Sequence, residues 1–476
     1  MEQRNKQAIG YLPDETPPPA KLIVFALQQI LVMFPATVLV AILTRFDIAT
    51  TIFASGFATI CFLLITKRQI PLYYGSSFAY IAAITGLMAS QQALGVSQVD
   101  SIRMAQFGIM MSGLVSIGIG LIIKRSGQRF IERVLPPTIT GPIALVIAMS
   151  LAKNALDNAA GGGQLLAALG SKDMSGIEGF ADLGALSSYV SANWAVALIT
   201  LVVTILFSVY LKGTLSQLPI LFGILVGYAL ATVVTLATPW KLIDFAAIAN
   251  ANFIAVPRFT LPTPNMAAVA AIMPIALATV PESTAHLFQL DIYVNELARR
   301  KGSKKTYSIG DKLGLNLIGD GVGDIVSAAI GGPAGTNYGE NISTMAITRN
   351  FSTSVLIAAS IITMILSFSG TLSTLINSIP QAVIGGISIY LFGVIGAQGI
   401  AIMISQKVDM FDSRNLAVIS TILIIGIGGS YINNGMIPMF GMEMPAIASA
   451  SVFGIILNLV LSMGHAKAPA DRPSAE

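Results

Sequence analysis

The chain has 476 residues, of which 54% are hydrophobic and 11% are charged, and its formal net charge is +4. Soluble domains carry about 25% charged residues, so this composition excludes an ordinary soluble domain and predicts a polytopic membrane protein. The single cysteine, Cys61, lies in an apolar run, which excludes a disulfide framework and a thiolate metal site. We therefore expect no cofactor and no metal.

The basic residues are distributed unevenly between the predicted loops. When the loops are assigned to alternating sides of a bilayer, all but six of the 27 Lys and Arg residues fall on one side. The six on the sparse side are Arg45, Arg103, Lys153, Lys172, Lys241 and Arg258. An excess of Lys and Arg marks the cytoplasmic side, so this charge indicates topology rather than nucleic-acid binding. Both termini are expected in the cytoplasm, and the polar residues 1–20 do not resemble a signal peptide.

Apolar runs alternate with short polar breaks from Lys21 onward. About 20 apolar residues span a bilayer as a helix, so the runs predict an all-α protein with fourteen transmembrane segments. The first seven lie at about residues 22–43, 51–65, 73–88, 104–123, 135–151, 194–211 and 218–236. The second seven lie at about residues 267–290, 313–330, 331–348, 354–372, 382–404, 416–432 and 445–461.

Short motifs recur in the same order in the two groups of seven. Tyr-Gly at 74–75 matches Tyr-Gly at 338–339. Leu-Pro-x-x-Ile-x-Gly at 135–141 matches Ile-Pro-x-x-Val-x-Gly at 379–385, and Leu-Pro-Ile at 218–220 more weakly matches Met-Pro-Ala at 444–446. Because seven is odd, the second copy enters from the opposite side, and the pattern predicts inverted repeats.

The third and tenth predicted segments are interrupted. Residues 331–341 carry four glycines, a proline and Glu340, and residues 74–78 form a shorter counterpart, Tyr-Gly-Ser-Ser-Phe. Non-helical backbone at membrane depth persists only where it lines a cavity or is buried in protein. A pair of Gly-interrupted segments in the two halves indicates a transporter's binding site. Half-helices that begin at Phe78 and Asn341 would direct unpaired amides into this site.

Glu282 and His286 are spaced i,i+4 in the eighth segment, which places both side chains on one helix face. A carboxylate at bilayer depth costs at least about 2.5 kcal/mol, so it persists where it faces a cavity, pairs or takes up a proton. The alternative is a structural Glu–His pair, but Glu340 in the other break favours a site. Two carboxylates that accept ring N–H groups, with amides that donate to carbonyl oxygens, suit a nucleobase better than an inorganic anion.

Further polar groups have two interpretations. Asp320 and Asp324 form another i,i+4 pair in the ninth segment. They either belong to a cation or proton route or act structurally near the cytoplasmic end. Gln28 and Gln29 in the first segment either bond across helices or line the cavity.

The sequence resembles the nucleobase–ascorbate transporter family, and within it the bacterial uracil permeases, over nearly the whole chain. The residues that carry the resemblance are 33–40 (Met-Phe-x-Ala-Thr-Val-Leu-Val), 71–79 (Pro-x-Tyr-x-Gly-Ser-Ser-Phe-Ala), 337–342 (Asn-Tyr-Gly-Glu-Asn-Ile), 345–349 (Met-Ala-Ile-Thr-Arg), 393–397 (Gly-Val-Ile-Gly-Ala) and 407–409 (Lys-Val-Asp). The resemblance implies seven-plus-seven inverted repeats, with short antiparallel strands in segments 3 and 10.

The resemblance also implies two domains between cytoplasmic tails. The core domain would comprise residues 21–129 and 266–375, the gate domain residues 130–240 and 376–464, and the tails residues 1–20 and 465–476. The gate domain is expected to form a homodimer.

By the same resemblance, the substrate-binding residues would be Glu282, Glu340, Phe78, Gly339, Ser77, Tyr338 and Ala36. Glu282 and His286 would couple transport to a proton. The second-tier candidates are Gln29, Asn341, Asp320 and Asp324. The chain departs from the family pattern at several of these places: Gln29 replaces a common histidine, Pro281 and Ser283 flank Glu282, and Asp320 and Asp324 replace uncharged polar residues.

We therefore expect a multi-pass protein of the cell (inner) membrane that imports a nucleobase, uracil, with protons by alternating access. Tyr-Gly-Glu-Asn at 338–341 favours a pyrimidine. The alternatives are a purine or xanthine permease, a sodium-coupled nucleobase symporter, an anion transporter of the same fold and a passive channel. A membrane-embedded enzyme is disfavoured, because two histidines and one apolar cysteine supply neither a metal cluster nor an activated nucleophile. The expected partners are the base, the coupling ion and the lipid bilayer.

Overall fold

The computed structural model describes residues 10–126, 136–175, 177, 179–432, 435–439 and 442–463. Several predicted features lie outside these residues: the core–gate boundary at 129 and 130, position 135 of the fifth segment, residues 1–9 of the N-terminal tail, and the tail 465–476.

The described residues are mostly helical. In the first half the elements are α1 (Pro19–Thr44), α2 (Ile48–Ile65), β1 (Tyr74–Ser76), a 3-10 turn (Phe78–Tyr80), α3 (Ile81–Ala93), α4 (Gln98–Ser126), α5 (Pro137–Ser150), α6 (Ala152–Ala159), α7 (Gly163–Ser171), α8 (Leu183–Tyr210), a 3-10 turn (Gly213–Gln217), α9 (Pro219–Ala237) and α10 (Phe245–Ala249).

In the second half the elements are α11 (Met266–Ile272), α12 (Ile275–Arg300), a 3-10 turn (Gly310–Lys312), α13 (Leu313–Ala329), β2 (Gly335–Asn337), α14 (Gly339–Thr348), α15 (Thr353–Leu366), α16 (Gly370–Asn377), α17 (Gln381–Ser405), α18 (Ser413–Leu423), a π turn (Ile424–Gly428), β3 (Met436–Met439), β4 (Met442–Pro445) and α19 (Ala446–Met463).

Eight helical stretches of the described chain are long and apolar enough to cross a membrane, and shorter apolar helices accompany them. The protein is therefore a multi-pass helical membrane protein. The eight stretches are Pro19–Thr44, Ile48–Ile65, Gln98–Ser126, Pro137–Ala159, Leu183–Tyr210, Pro219–Ala237, Met266–Arg300 and Gln381–Ser405. The count of fourteen segments stays a prediction.

Several helices differ in extent from the predicted segments, because local caps decide where they begin. Helix α8 starts eleven positions before the predicted residue 194, since the Asp182 side chain accepts a hydrogen bond from the amide of Ala185. The predicted segment 354–372 is divided into α15 and α16, and the Ser369 hydroxyl caps the second of these. Apolar periodicity alone does not reveal such caps.

The two interrupted segments meet as a pair of short strands. Strands β1 and β2 are antiparallel, with Tyr74 opposite Asn337 and Ser76 opposite Gly335. The prediction of short antiparallel strands is therefore confirmed. The helix that follows β2 begins at Gly339 rather than at the predicted Asn341, because Tyr338 already occupies the extended N-cap position.

The helices pack in two sets. Helix α4 lies along α13, α2 contacts α13 and α15, and α1 contacts α15. In the other set, α17 contacts α5, α6 and α8, and α18 contacts α19 and α5. The strand pair belongs to the first set, where β1 packs against α1 and α2 and β2 packs against α13.

Residues 10–18, within the predicted N-terminal tail, are docked on the first set of helices. Tyr11 and Leu12 are buried. The amide of Tyr11 donates to the carbonyl of Arg349 at 2.8 Å, and the amide of Phe351 donates to the carbonyl of Tyr11 at 2.8 Å. The docking was not predicted, because the polar composition of residues 1–20 indicates a tail; the apolar Tyr-Leu pair at 11–12 is a signal that could have indicated it.

Salt bridges attach the same segment to the chain beyond α12. The buried Lys301 ammonium lies 2.5 Å from the Glu15 carboxylate and donates to the carbonyl of Gly10 at 2.8 Å. Lys305 lies 2.6 Å from the Asp14 carboxylate. The docked segment therefore fastens the start of α1 to the end of α12.

This attachment should weaken in acid. Burial alone would raise the pKa of Asp14, but hydrogen bonds from Lys305 and Tyr307 outweigh burial and hold the pKa below the ordinary 3.8. A lowered folded-state pKa gives stability that is present above pH 3.8 and lost as the pH falls through the folded-state value. Because Asp14 is half exposed, we expect Asp14→Asn to cost no more than about 1 kcal/mol.

The measurement is the Tm of the detergent-solubilised protein across a pH series. The Tm of wild type should exceed that of Asp14→Asn near neutral pH, and the difference in Tm should vanish in acid, below the folded-state pKa of Asp14. Lys305→Met should behave like Asp14→Asn. A difference that is equal at neutral and acid pH would contradict the charge argument.

Candidate functional site

Two helices begin beside the strand pair. We call the place where β1 and β2 pair the strand crossing. The amide of Ser77 donates to the carbonyl of Ala334 at 2.9 Å, and the amide of Tyr338 donates to the carbonyl of Tyr73 at 3.1 Å, so both amides form hydrogen bonds within the crossing. The next amides along the chain belong to Phe78 and Gly339, at the start of a helical turn, where amides lack intrahelical partners. Because the strands are antiparallel, the two helices leave the crossing at opposite ends.

The predicted acidic groups come together at this crossing. Glu282 on α12 lies within electrostatic range of Glu340 on α14 and of Asp320 on α13. A side chain added at Gly339 would place its Cβ atom 2.8 Å from His286 Nε2, so the start of α14 touches α12 here. The pair Glu282 and His286 and the pair Gly339 and Glu340, which are more than 50 positions apart in sequence, are therefore neighbours.

The Glu282 side chain is accessible although its helix packs between α13 and α14. Within the described residues, no hydrogen bond or ion pair joins Glu282 to His286, and the buried Nδ1 atom of His286 has no partner. The imidazole instead lies against the backbone of Asn337. This arrangement is unlike a closed structural Glu–His pair, in which the two side chains would bond to each other.

Tyr338 forms a wall of the crossing. Its hydroxyl donates to the carbonyl of Ser76 at 2.9 Å and lies 3.0 Å from the Thr37 hydroxyl, so both sides of the hydroxyl are engaged. Its ring covers Gly75, where an added Cβ atom would lie 2.3 Å from Tyr338 Cε2. Thr37 was not among the predicted site residues.

The remaining predicted pocket residues have different surroundings. The Ser77 hydroxyl accepts a hydrogen bond from the amide of Ala79 at 3.3 Å and so caps the helical turn. Phe78 is half buried and meets Phe392 of α17 edge to face, with ring centroids 6.4 Å apart. Ala36 on α1 and Glu340 line one cavity of about 90 Å³. Phe78 thus connects the site to the second set of helices.

Asp324 and Asp320 are buried in the middle of α13, beside the crossing. Asp324 accepts hydrogen bonds from the Tyr74 hydroxyl at 2.5 Å and from the amide of Gly335 at 2.8 Å. One carboxylate therefore holds both strands.

Asp320 connects the strand to the helix of Glu282. Its carboxylate accepts hydrogen bonds from the Ser283 hydroxyl at 2.7 Å and from the Asn337 amide group at 2.8 Å. The Asn316 amide group donates to the same carboxylate at 3.3 Å. The sequence indicated Ser283 only as a departure from the family pattern, and it did not indicate Asn337 or Asn316 as hydrogen-bond partners of Asp320.

Gln29 bonds across helices, which was one of its two interpretations. The Asn341 amide group donates to the Gln29 carbonyl at 3.0 Å and to Gln29 Oε1 at 2.8 Å. This contact holds the start of α14 on α1. As for metals, the part of the chain that the structure describes contains no group of three or more His, Cys, Asp or Glu side chains placed to hold an ion.

Residues 20–435 match the model named Xan_ur_permease, described as Permease family. The chain is 36% identical over 454 residues to a uracil permease of Bacillus caldolyticus, covering 94% of this chain and 93% of that protein. It is 34% identical over 461 residues to a uracil permease of Escherichia coli (strain K12), covering 96% of this chain and 95% of that protein.

Solved structures show the same fold at low identity. The transmembrane domain of the cyanobacterial bicarbonate transporter BicA superimposes with a TM-score of 0.58 at 15% identity, covering 88% of this chain and 98% of that domain. Murine Slc26a9, an anion transporter in its inward-facing state, superimposes with a TM-score of 0.62 at 9% identity, covering 95% of this chain and 69% of that chain.

Proposed function

The chain belongs to the Permease family represented by Xan_ur_permease, the nucleobase–ascorbate transporters, and on this premise we propose that it imports uracil together with protons. Family membership makes the protein a transporter and not an enzyme. The uracil permeases of Bacillus and Escherichia, similar to this chain over nearly their whole length, support a nucleobase as substrate.

The observation that carries the proposal is the approach of Glu282 and Glu340 from two different helices. Two carboxylates within electrostatic range of one another repel when both are charged. Uptake of a proton by one of them, or a hydrogen bond from a ligand N–H group, relieves that repulsion. A base can offer ring N–H groups to both carboxylates and carbonyl oxygens to the amides of Phe78 and Gly339. Such a ligand would give each of these four groups a hydrogen-bond partner.

Ala36, Ser77 and Tyr338 complete the proposed pocket around the base. His286 lies behind Gly339 and is the proposed partner of Glu282 in proton coupling. Asp320, Asp324, Gln29 and Asn341 hold the elements of the pocket in place through the hydrogen bonds described above.

Transport is proposed to occur by movement of a core domain (21–129 and 266–375) against a gate domain (130–240 and 376–464). The two packing sets of helices support this division. The opposite directions of the helices that leave the strand crossing support fourteen segments in two inverted repeats. We also propose a homodimer through the gate domain, in the inner membrane with cytoplasmic termini.

The test is uptake of radiolabelled uracil into sealed vesicles under an imposed ion gradient. An inward proton gradient should accelerate uptake, and a proton ionophore should abolish the acceleration. Xanthine in excess should not compete. Uptake that follows a sodium gradient and ignores the proton gradient would make the proton assignment wrong, and competition by xanthine would make the pyrimidine assignment wrong.

A further inference from the structure

A cavity of about 90 Å³ reaches Glu340 from one side of the protein, and this volume admits several water molecules. One wall is the middle of α1, which belongs to the first packing set. The opposite wall is the segment that leads into α9, and α9 packs against α8 and α17 of the second set. The lining residues include Leu31, Pro35, Ala36, Pro219, Ile220 and Glu340. The polar Ser216 also lines the cavity, and apart from Ser216 and Glu340 the lining is apolar.

The cavity lies on the side that the distribution of basic residues assigns to the cytoplasm. Its second wall follows the turn between α8 and α9, which contains Lys212 on the Lys- and Arg-rich side. The cavity lies in the interface between the two packing sets. In the half of this interface farther from the cytoplasm, Val40 and Ile81 of the first set are buried against Leu151 and Phe392 of the second set. The interface is therefore open toward the cytoplasm and closed by apolar side chains toward the outside.

Pro35 and Ile220 also line a second, smaller cavity, whose walls are entirely apolar. These two side chains, one from each packing set, therefore stand between the two spaces. Ile220 is the second residue of α9 and is only partly buried, so one part of its side chain lines the cavity while the rest packs against the buried apolar cluster around Val383.

Resting on the proposed function, we propose that this cavity is the cytoplasmic passage for a flat heterocyclic ligand, and that Ile220 sets its width. Apolar walls with two hydrogen-bonding side chains, Glu340 and Ser216, suit a planar ring with polar edges. Glu340 also lies at the start of α14 beside the crossing, so a ligand that leaves the crossing through this cavity meets Glu340 on the way out.

The sequence repeat supports the assignment. Leu-Pro-Ile at 218–220 matches Met-Pro-Ala at 444–446, which stands at the start of α19. There the counterpart strand β4 packs against α11, the first helix of the second half. Helix α11 packs against α4 of the first set, so Met-Pro-Ala is in contact with the first set. Leu-Pro-Ile instead borders a cavity. Alternating access requires such a difference between the two repeats.

The passage can be tested by cysteine labelling, because Cys61 is the single cysteine. In a Cys61→Ser background, Ile220→Cys should react with a membrane-impermeant thiol reagent in inside-out vesicles and resist it in right-side-out vesicles. At a uracil concentration ten times Kd, about one tenth of the protein remains free, so labelling should slow by about tenfold. Lys304→Cys, in the exposed chain beyond α12, is the control and should be labelled from the same side at a rate that uracil does not change.

The outcomes distinguish failure of the passage from failure of the proposed function. Labelling of Ile220→Cys from the outside, or at a rate that bound uracil leaves unchanged, overturns the passage. Failure of the Cys61→Ser protein and of wild type to bind uracil overturns the proposed function instead. Ile220→Trp provides a second test, since it should lower uptake by at least about tenfold while uracil binding to the solubilised protein persists.

Discussion

Glu282→Gln is expected to abolish coupled uracil uptake and to weaken uracil binding by about 10- to 100-fold, because a hydrogen bond to a charged group contributes about 1.5–3 kcal/mol. Glutamine has nearly the size of glutamate, so the packing of α12 is unchanged. It presents an N–H₂ group where the ligand also presents N–H, and it cannot take up a proton. Binding and coupling therefore fail together.

Glu296→Gln is the matched control, because Glu296 lies on the same helix but on the exposed surface, where it pairs with Arg299 and Arg300. Its uracil uptake should equal that of wild type within about twofold, since exposed ion pairs contribute little. Both variants should show the wild-type elution profile in size-exclusion chromatography. A Glu282→Gln protein with full uptake would remove Glu282 from the site.

Gly75→Ala is expected to abolish uptake by a different route, the displacement of Tyr338. The new Cβ atom would lie 2.3 Å from Cε2 and 2.4 Å from Cζ of that ring. The ring has no room to retreat, because its hydroxyl is bonded to the carbonyl of Ser76 and to Thr37. Overpacking and the loss of these hydrogen bonds together should cost about 2–5 kcal/mol.

The measurements are the Tm of the solubilised protein and the rate of uracil uptake, and both should fall. Gly118→Ala on α4 is the control, because a Cβ atom there meets no atom within 4 Å. In a helix interior this change should be neutral or stabilise by up to about 1 kcal/mol. If Gly75→Ala keeps the wild-type Tm and uptake, the strand crossing does not need the close approach of Tyr338.

The sequence predicted where the two interrupted segments meet because rare residue types stand out in an apolar chain. Glu282 and Glu340 are conspicuous for their charge, and the glycine-rich stretch 331–341 is conspicuous for its inability to continue a helix. The structure brings these groups together and pairs the two stretches as strands. Composition and helix-breaking residues were therefore sufficient to find the crossing.

The hydrogen bonds around the crossing were beyond sequence reasoning because they join distant parts of the chain. The sequence left Asp324 open to a structural or an ion-conducting interpretation, and its spacing on α13 does not predict its contact with Tyr74, 250 positions away. Thr37 is an ordinary threonine in an apolar run, and its contact with Tyr338 spans 301 positions. Spacing along one helix predicts which side chains share a face, but not which partner that face meets.

The strand pair also imposes an order of events on biosynthesis. Tyr74 pairs with Asn337, so about 260 further residues must be translated before β1 can find its partner. At roughly 5–20 residues per second, that interval lasts some tens of seconds. Throughout it the nascent first half carries unpaired strand amides and carbonyls, which hydrocarbon does not tolerate. The insertion machinery must therefore keep this stretch hydrated or shielded, and a chain truncated before β2 would be a substrate for quality-control proteases.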